Sequence, residues 1–157
     1  MPGKRIVRTL IGHNQVEVGL RCLPSLIHFS SEPVKLLLHD DGTLTDDDCE
    51  ALIASLSGAE ILSRDEADAT VVPLLKRHPK CLAYRQRQPL ALKLIDMPLI
   101  QSEELAYCDS DVLFQTAYGA VLHAGAEDSG DLHAGYSGRV FSSTLAHLSD
   151  REGSRTT

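Results

Sequence analysis

Short apolar runs that stop at polar or glycine-bearing turns, each followed by a stretch of helical periodicity, constrain this chain more than any other feature. Ile6 to Ile11 is the first run and ends at Gly12. From Asn14 to Phe29, Val16, Leu20, Leu23 and Ile27 fall at the spacing of one helical face, with Pro24 expected to bend the helix. After Ser30-Ser31-Glu32-Pro33, Val34 to Leu38 is strongly apolar, as in a strand covered on both faces, and it stops at His39-Asp40-Asp41-Gly42. Thr45 reads as an N-cap with Asp48 three residues on; Asp46 and Asp47 lie in the first turn, where the helix dipole favours negative charge. Cys49, Leu52, Ile53 and Leu56 form that helix's apolar face, and Gly58 ends it.

Ala59 to Leu62 predicts a short strand, and Asp65 to Lys76 a helix weakened by Thr70, Val71, Val72 and Pro73. Pro89 suits the first turn of a helix containing Leu90, Ala91, Leu94 and Ile95, with Lys93 and Asp96 on its polar side. Leu105 to Cys108 is the last run, and it leads straight into Asp109-Ser110-Asp111. The alternation predicts an α/β fold: a Rossmann-like, mainly parallel sheet flanked by helices. Ligands of such folds sit beyond the carboxyl ends of the strands, which is where Asp109 and Asp111 would stand.

Composition narrows the function classes. The 157 residues are 43% hydrophobic, enough for one domain with a core. Aromatic residues are only 4% with no Trp, which argues against a stacking platform for single-stranded nucleic acid. A formal charge of −7 argues against general affinity for DNA or an anionic membrane. No apolar run approaches the roughly 20 residues that cross a bilayer, and Met1 to Arg8 has no signal-peptide h-region. Cys22, Cys49, Cys81 and Cys108 form no CxxC pair, so the expectation is reduced, buried thiols in a cytoplasmic protein.

Charge is unevenly placed. Acids crowd the interval from Asp40 to Asp68, broken by one base, Arg64. Lys76, Arg77, Lys80, Arg85, Arg87 and Lys93 then follow with no acid among them until Asp96. Each group can be a solvated helix face. A basic segment leading into paired aspartates also suits a polyanionic substrate bridged by a metal ion.

In an extended segment residues i and i+2 point the same way, so Asp109 and Asp111 would face one site while Ser110 turns aside. Two close carboxylates repel, and a divalent cation relieves the repulsion. Oxygen-only ligands favour Mg²⁺ or Mn²⁺ over zinc.

The stretch Ala91-Leu92-Lys93-Leu94-Ile95-Asp96-Met97-Pro98-Leu99-Ile100, followed by Leu105-Ala106-Tyr107-Cys108-Asp109-Ser110-Asp111-Val112-Leu113-Phe114, resembles the core of GT-A-type glycosyltransferases, in particular the glycogenin-like and lipopolysaccharide-galactosyltransferase-like group. Val34 to Gly42 is similar to the second strand of such enzymes. The resemblance spans roughly residues 5 to 114 and implies a nucleotide-diphosphate-sugar donor, most readily a UDP-sugar. It implies that Asp109 and Asp111 hold the Mn²⁺ or Mg²⁺ that bridges the diphosphate, and that Lys93 lies near the phosphates or sugar. His13, Asp40 and Asp41 would border the nucleoside, and Ser110 would lie within the donor site. The acceptor is unspecified.

Other readings of the same residues stay open. Lys93 can pair with Asp96 on the helix surface, His13 and His39 can be ordinary loop histidines, and Asp40 and Asp41 can simply shape the turn at Gly42. His39-Asp40-Asp41-Gly42-Thr43 also echoes the motif of haloacid-dehalogenase-type phosphatases, but His39 stands where that chemistry needs its aspartate nucleophile. Residues 1–114 are thus expected to form a donor-binding α/β domain. Residues 115–157, with His123, His133 and His147, are expected to be an atypical, partly disordered tail, so that the family's second half would be incomplete. The alternative to an active transferase is a catalytically inactive nucleotide-sugar-binding or structural remnant of the same fold.

Overall fold

A computed structural model describes residues 5–100 and 105–118. The elements follow in the order β1 (Arg5–Ile11), a 3₁₀ turn (His13–Gln15), α1 (Val16–Phe29), β2 (Val34–Asp40), α2 (Asp46–Ser55), β3 (Glu60–Leu62), α3 (Arg64–Leu75), α4 (Pro79–Arg87), α5 (Ala91–Ile100) and β4 (Ala106–Tyr107). The four strands form one sheet in the order β3-β2-β1-β4, all parallel. The predicted α/β architecture, a parallel sheet flanked by helices, is therefore the observed one, and it is compatible with a Rossmann-like fold.

Local chemistry accounts for the boundaries. Thr45 and Asp48 cap α2 reciprocally: Asp48 N–H donates to Thr45 Oγ1 at 3.2 Å, and Thr45 N–H to Asp48 Oδ2 at 2.9 Å. Ser63 and Glu66 do the same for α3. Gly58, at φ 76°, follows α2 in the left-handed region that glycine adopts without cost. Pro24 and Pro73 both lie inside helices, so neither stops its element.

Alternation along β1 and β2 divides the core. Val7, Ile11, Leu36 and Leu38 are buried with Leu23 and Leu26 of α1 and Leu52 of α2. On the other face Leu10 packs with Leu92 and Met97 of α5. That face also carries two polar side chains, Arg8 and His39, both buried, with Arg8 Nη1 and His39 Nε2 2.8 Å apart. His39 is thus a strand residue of the interior rather than a loop histidine. Burial foremost, and then the Arg8 charge, lower its pKa to about 4.

After β4 the chain returns along α1. Phe114 N–H donates to Ser25 Oγ at 2.9 Å, and the Tyr118 hydroxyl donates to Leu26 O at 2.6 Å. Packing thus continues four residues past Phe114. The expected tail from 119 onward, including His123, His133 and His147, lies outside the described residues. No helix among the described residues is long and apolar enough to cross a membrane.

Candidate functional site

The strand order makes the site. The chain steps from β1 to β2 to β3 in one direction, then returns to place β4 on the opposite side of β1. In open parallel sheets the ligand position is the carboxyl edge where the order reverses, here between β1 and β4. Gly12 and His13 follow β1 at that edge; Cys108 to Asp111 follow β4. Pairing ties the two ends together, since Cys108 N–H donates to Arg8 O at 3.0 Å and Thr9 Oγ1 to Cys108 O at 2.9 Å.

Lys93, from α5, reaches this edge. Its Nζ forms an ion pair with Asp109 Oδ1 and lies 5.0 Å from the centre of the Tyr107 ring. The Tyr107 hydroxyl donates to the same Asp109 oxygen. Both contacts fall on Oδ1, leaving Oδ2 to another partner. Partial burial pushes the Asp109 carboxyl up, but the hydrogen bonds from Lys93 and Tyr107 and the Lys93 charge outweigh it and hold it below the usual range. The Tyr107 phenol is raised by burial and by Asp109, so it stays a donor. Cys108 is pushed up to about 12 by burial and by the Asp109 and Asp111 charges, which leaves an unreactive thiol.

The Asp-Ser-Asp segment is not the extended ladder that the i, i+2 argument assumes. Strand β4 ends at Tyr107, and residues 110 and 111 form a turn closed by a Val112 N–H to Asp109 O contact of 3.4 Å. Ser110 is buried, and Asp111 is exposed. Helix α1 approaches both strand and turn here: a β-carbon at Gly19 would come 2.8 Å from Ile11 Cδ1 and 3.9 Å from Ser110 Cβ, so the small residue leaves room for Ile11.

The residues after β2 are occupied with shaping their own loop. Asp40 Oδ1 accepts from the Gly42, Thr43 and Leu44 amides at 2.7, 3.2 and 3.2 Å, and Asp41 Oδ1 accepts from Thr43 N–H and Oγ1 at 3.0 and 2.6 Å. Gly42, at φ 99°, completes this turn. Thr43 Oγ1 in turn accepts from His13 N–H at 2.9 Å, joining the β1 and β2 ends. His13 Nδ1 stands 2.7 Å from Asp48 Oδ2. Hydrogen bonds from the Thr45 backbone and from His13 lower Asp48 to about 2.

The structure therefore brings Lys93 to Asp109, and His13 to the Asp40-Asp41 turn. Lys93 does not take Asp96 as its partner: Asp96 is buried and held by Arg85, at 2.7 Å from Nε and 2.5 Å from Nη2. Within the basic run Arg85 is likewise internal, while Lys76, Arg77, Lys80 and Arg87 are exposed. Tyr107 and Thr43 are site residues that the sequence reading missed. Tyr107 stands two residues before Asp109, the one-face spacing of a strand, and that spacing was the available signal.

Asp109 and Asp111 are the carboxylates that follow β4, the first half-buried and the second exposed. Among the described residues no group of three or more His, Cys, Asp or Glu side chains is placed to hold a metal ion. Mg²⁺ is often held by one or two carboxylates, with waters and substrate phosphates filling its other positions.

No family profile, curated protein or solved structure matches this chain. Its functional reading rests on the edge itself.

Proposed function

We propose that this protein binds a nucleotide-diphosphate sugar at the carboxyl edge of its sheet and acts as a glycosyltransferase of the GT-A type that its sequence resembles. The observation that carries the reading is the meeting of Lys93 with Asp109 at the point where strand order reverses. A lysine and an aspartate at a parallel-sheet switch point supply what a metal-bridged diphosphate requires, a fixed cation beside a carboxylate ligand.

Asp109, through Oδ2, and Asp111 would hold Mn²⁺ or Mg²⁺, which supplies Lewis-acid neutralisation of the departing nucleoside diphosphate. Lys93 contributes a second positive charge for the phosphate oxygens. Tyr107 holds Asp109 in place by donating to Oδ1. The loop in which Thr43 joins His13 and Asp41 would border the nucleoside. Ser110, buried near Gly19 of α1, would support the turn that carries the two carboxylates.

Calorimetry with UDP and Mn²⁺, together with release of sugar from UDP-sugars, tests the reading. Binding should require the metal and weaken about tenfold or more in Asp109→Ala, the loss expected for one charge-assisted contact. Sugar release that vanishes in the same variant identifies an active transferase. Binding without release identifies the non-catalytic form of the fold. No heat and no thermal shift with UDP and Mn²⁺ would sink the donor-site reading.

A further inference from the structure

Behind the site lies a group of four charged side chains that the donor reading does not use. Arg85, on α4, is 1% exposed, and its fork is filled on both sides. Asp96 of α5 takes Nε and Nη2, while Asp68 of α3 takes Nη1 at 2.6 Å. Asp68 also accepts from Arg64 Nε at 2.8 Å, and Arg64 Nη1 donates to Asp41 O at 3.3 Å. The series runs from the turn after β2, through α3 and α4, to α5. One helical turn before Asp96 on α5 stands Lys93, paired with Asp109.

Buried ion pairs are poor stabilisers compared with apolar residues of the same volume, because the charges must be stripped of water. What a bidentate guanidinium–carboxylate pair does supply is a single relative orientation. Helix α5 needs one. Ala91, Leu92 and Met97 are buried, but Leu94 and Leu99 stand 68% and 41% exposed, so apolar contact covers a narrow stripe and leaves rotation about the helix axis weakly set. Lys93 and Asp96 are three residues apart and lie on one side of the helix. Any rotation that displaces Asp96 from Arg85 carries Lys93 away from Asp109 by the same angle.

We infer that Arg85 and Asp96 are positioning residues: their buried pairing, anchored through Asp68 and Arg64 to the Asp41 turn, sets the rotation of α5 and so places Lys93 at Asp109. The purpose of that placement rests on the diphosphate reading above; the placement itself does not.

The test uses the full chain with Asp96→Asn, Asp96→Ala and the apolar pair Arg85→Met with Asp96→Leu. Acetylation of lysines, followed by peptide mass spectrometry, reports Lys93 without any ligand, with the exposed Lys76 and Lys80 as internal references. UDP affinity with Mn²⁺ and thermal unfolding are measured in parallel. In Asp96→Asn, Lys93 should be acetylated several-fold faster while Lys76 and Lys80 are unchanged, and UDP affinity should fall about tenfold, the equivalent of one charge-assisted contact. The apolar pair should recover the melting temperature but neither the slow acetylation of Lys93 nor the affinity. Wild-type acetylation of Lys93 in folded Asp96→Asn would overturn the inference. So would an apolar pair that restores slow acetylation along with stability, and this arm decides even where the single variants do not fold. If the wild type binds no UDP, the donor reading fails by itself and the acetylation pattern still decides the positioning role.

Discussion

Gly12 and the Asp41 carboxylate share one space. A β-carbon at residue 12 would fall 2.2 Å from Asp41 Oδ2 and 2.5 Å from its carboxyl carbon. The Gly12 backbone, at φ −127° and ψ 173°, is open to any residue, so glycine is favoured by room and not by conformation. Asp41 in turn is held by Thr43, and Thr43 holds His13. The ends of the two central strands are therefore fitted together by one missing side chain.

Gly12→Ala should push the Asp41 carboxylate out of its turn and break its contacts with Thr43. Losing those hydrogen bonds should cost about 1–2 kcal/mol, read as a lower urea midpoint with an unchanged slope. Asp41→Ala combined with Gly12→Ala should cost less than the two single changes summed, because the clash is gone. Strict additivity would show that the two residues do not compete for space.

The buried His39 makes stability depend on pH. Its folded pKa, about 4, lies below the value of about 6.5 for an unfolded histidine, so the native state binds fewer protons. Stability from this group is full above pH about 6.5 and is lost as pH falls toward 4, by on the order of 3 kcal/mol in all. Urea unfolding at pH 7.5 and pH 5 should show the drop. His39→Gln should flatten that interval; an unchanged slope would assign the dependence elsewhere.

The two capping boxes give a second stability test. Thr45→Ala and Ser63→Ala should each cost about 1 kcal/mol, and the losses should add because the caps share no partner. Chemical denaturation of the two single variants and the double is sufficient.

Thiol chemistry should be ordered by position. Cys81 is exposed, whereas Cys108 is held as a thiol by burial and by Asp109 and Asp111. In the native protein iodoacetamide should modify Cys81 first and Cys108 last, as followed by peptide mass spectrometry. Rapid labelling of Cys108 would mean that the β4 end opens readily.

The elements of this fold were legible because each boundary is written in neighbouring residues. Thr45 with Asp48, glycine at position 58 and the apolar run from Val34 act over a few positions of chain, so periodicity and capping place α2 and β2 within one or two residues. Asp109, two residues beyond the last strand, was legible for the same reason. The Asp96 partnership was not. A helical wheel puts Asp96 beside Lys93 on a polar side, and only the arrival of α4 shows that this side faces Arg85 instead. His39 has the same lesson: a histidine between an apolar run and two aspartates reads as a turn, until the pairing of β2 with β1 sets Arg8 against it.

By itself the sequence determined most of the strands and helices, though not α4, and that acidic residues end β2 and closely follow β4, because those properties depend on contacts between near neighbours. The tertiary structure alone decided which charges meet. Strand order put β4 beside β1 and so brought Asp109 to the switch point; helix packing buried Arg85 and Asp96 and turned Lys93 toward Asp109. Charge pairing across 11 or 16 positions of chain leaves no periodic trace, since it depends on how elements pack and not on how they are spaced.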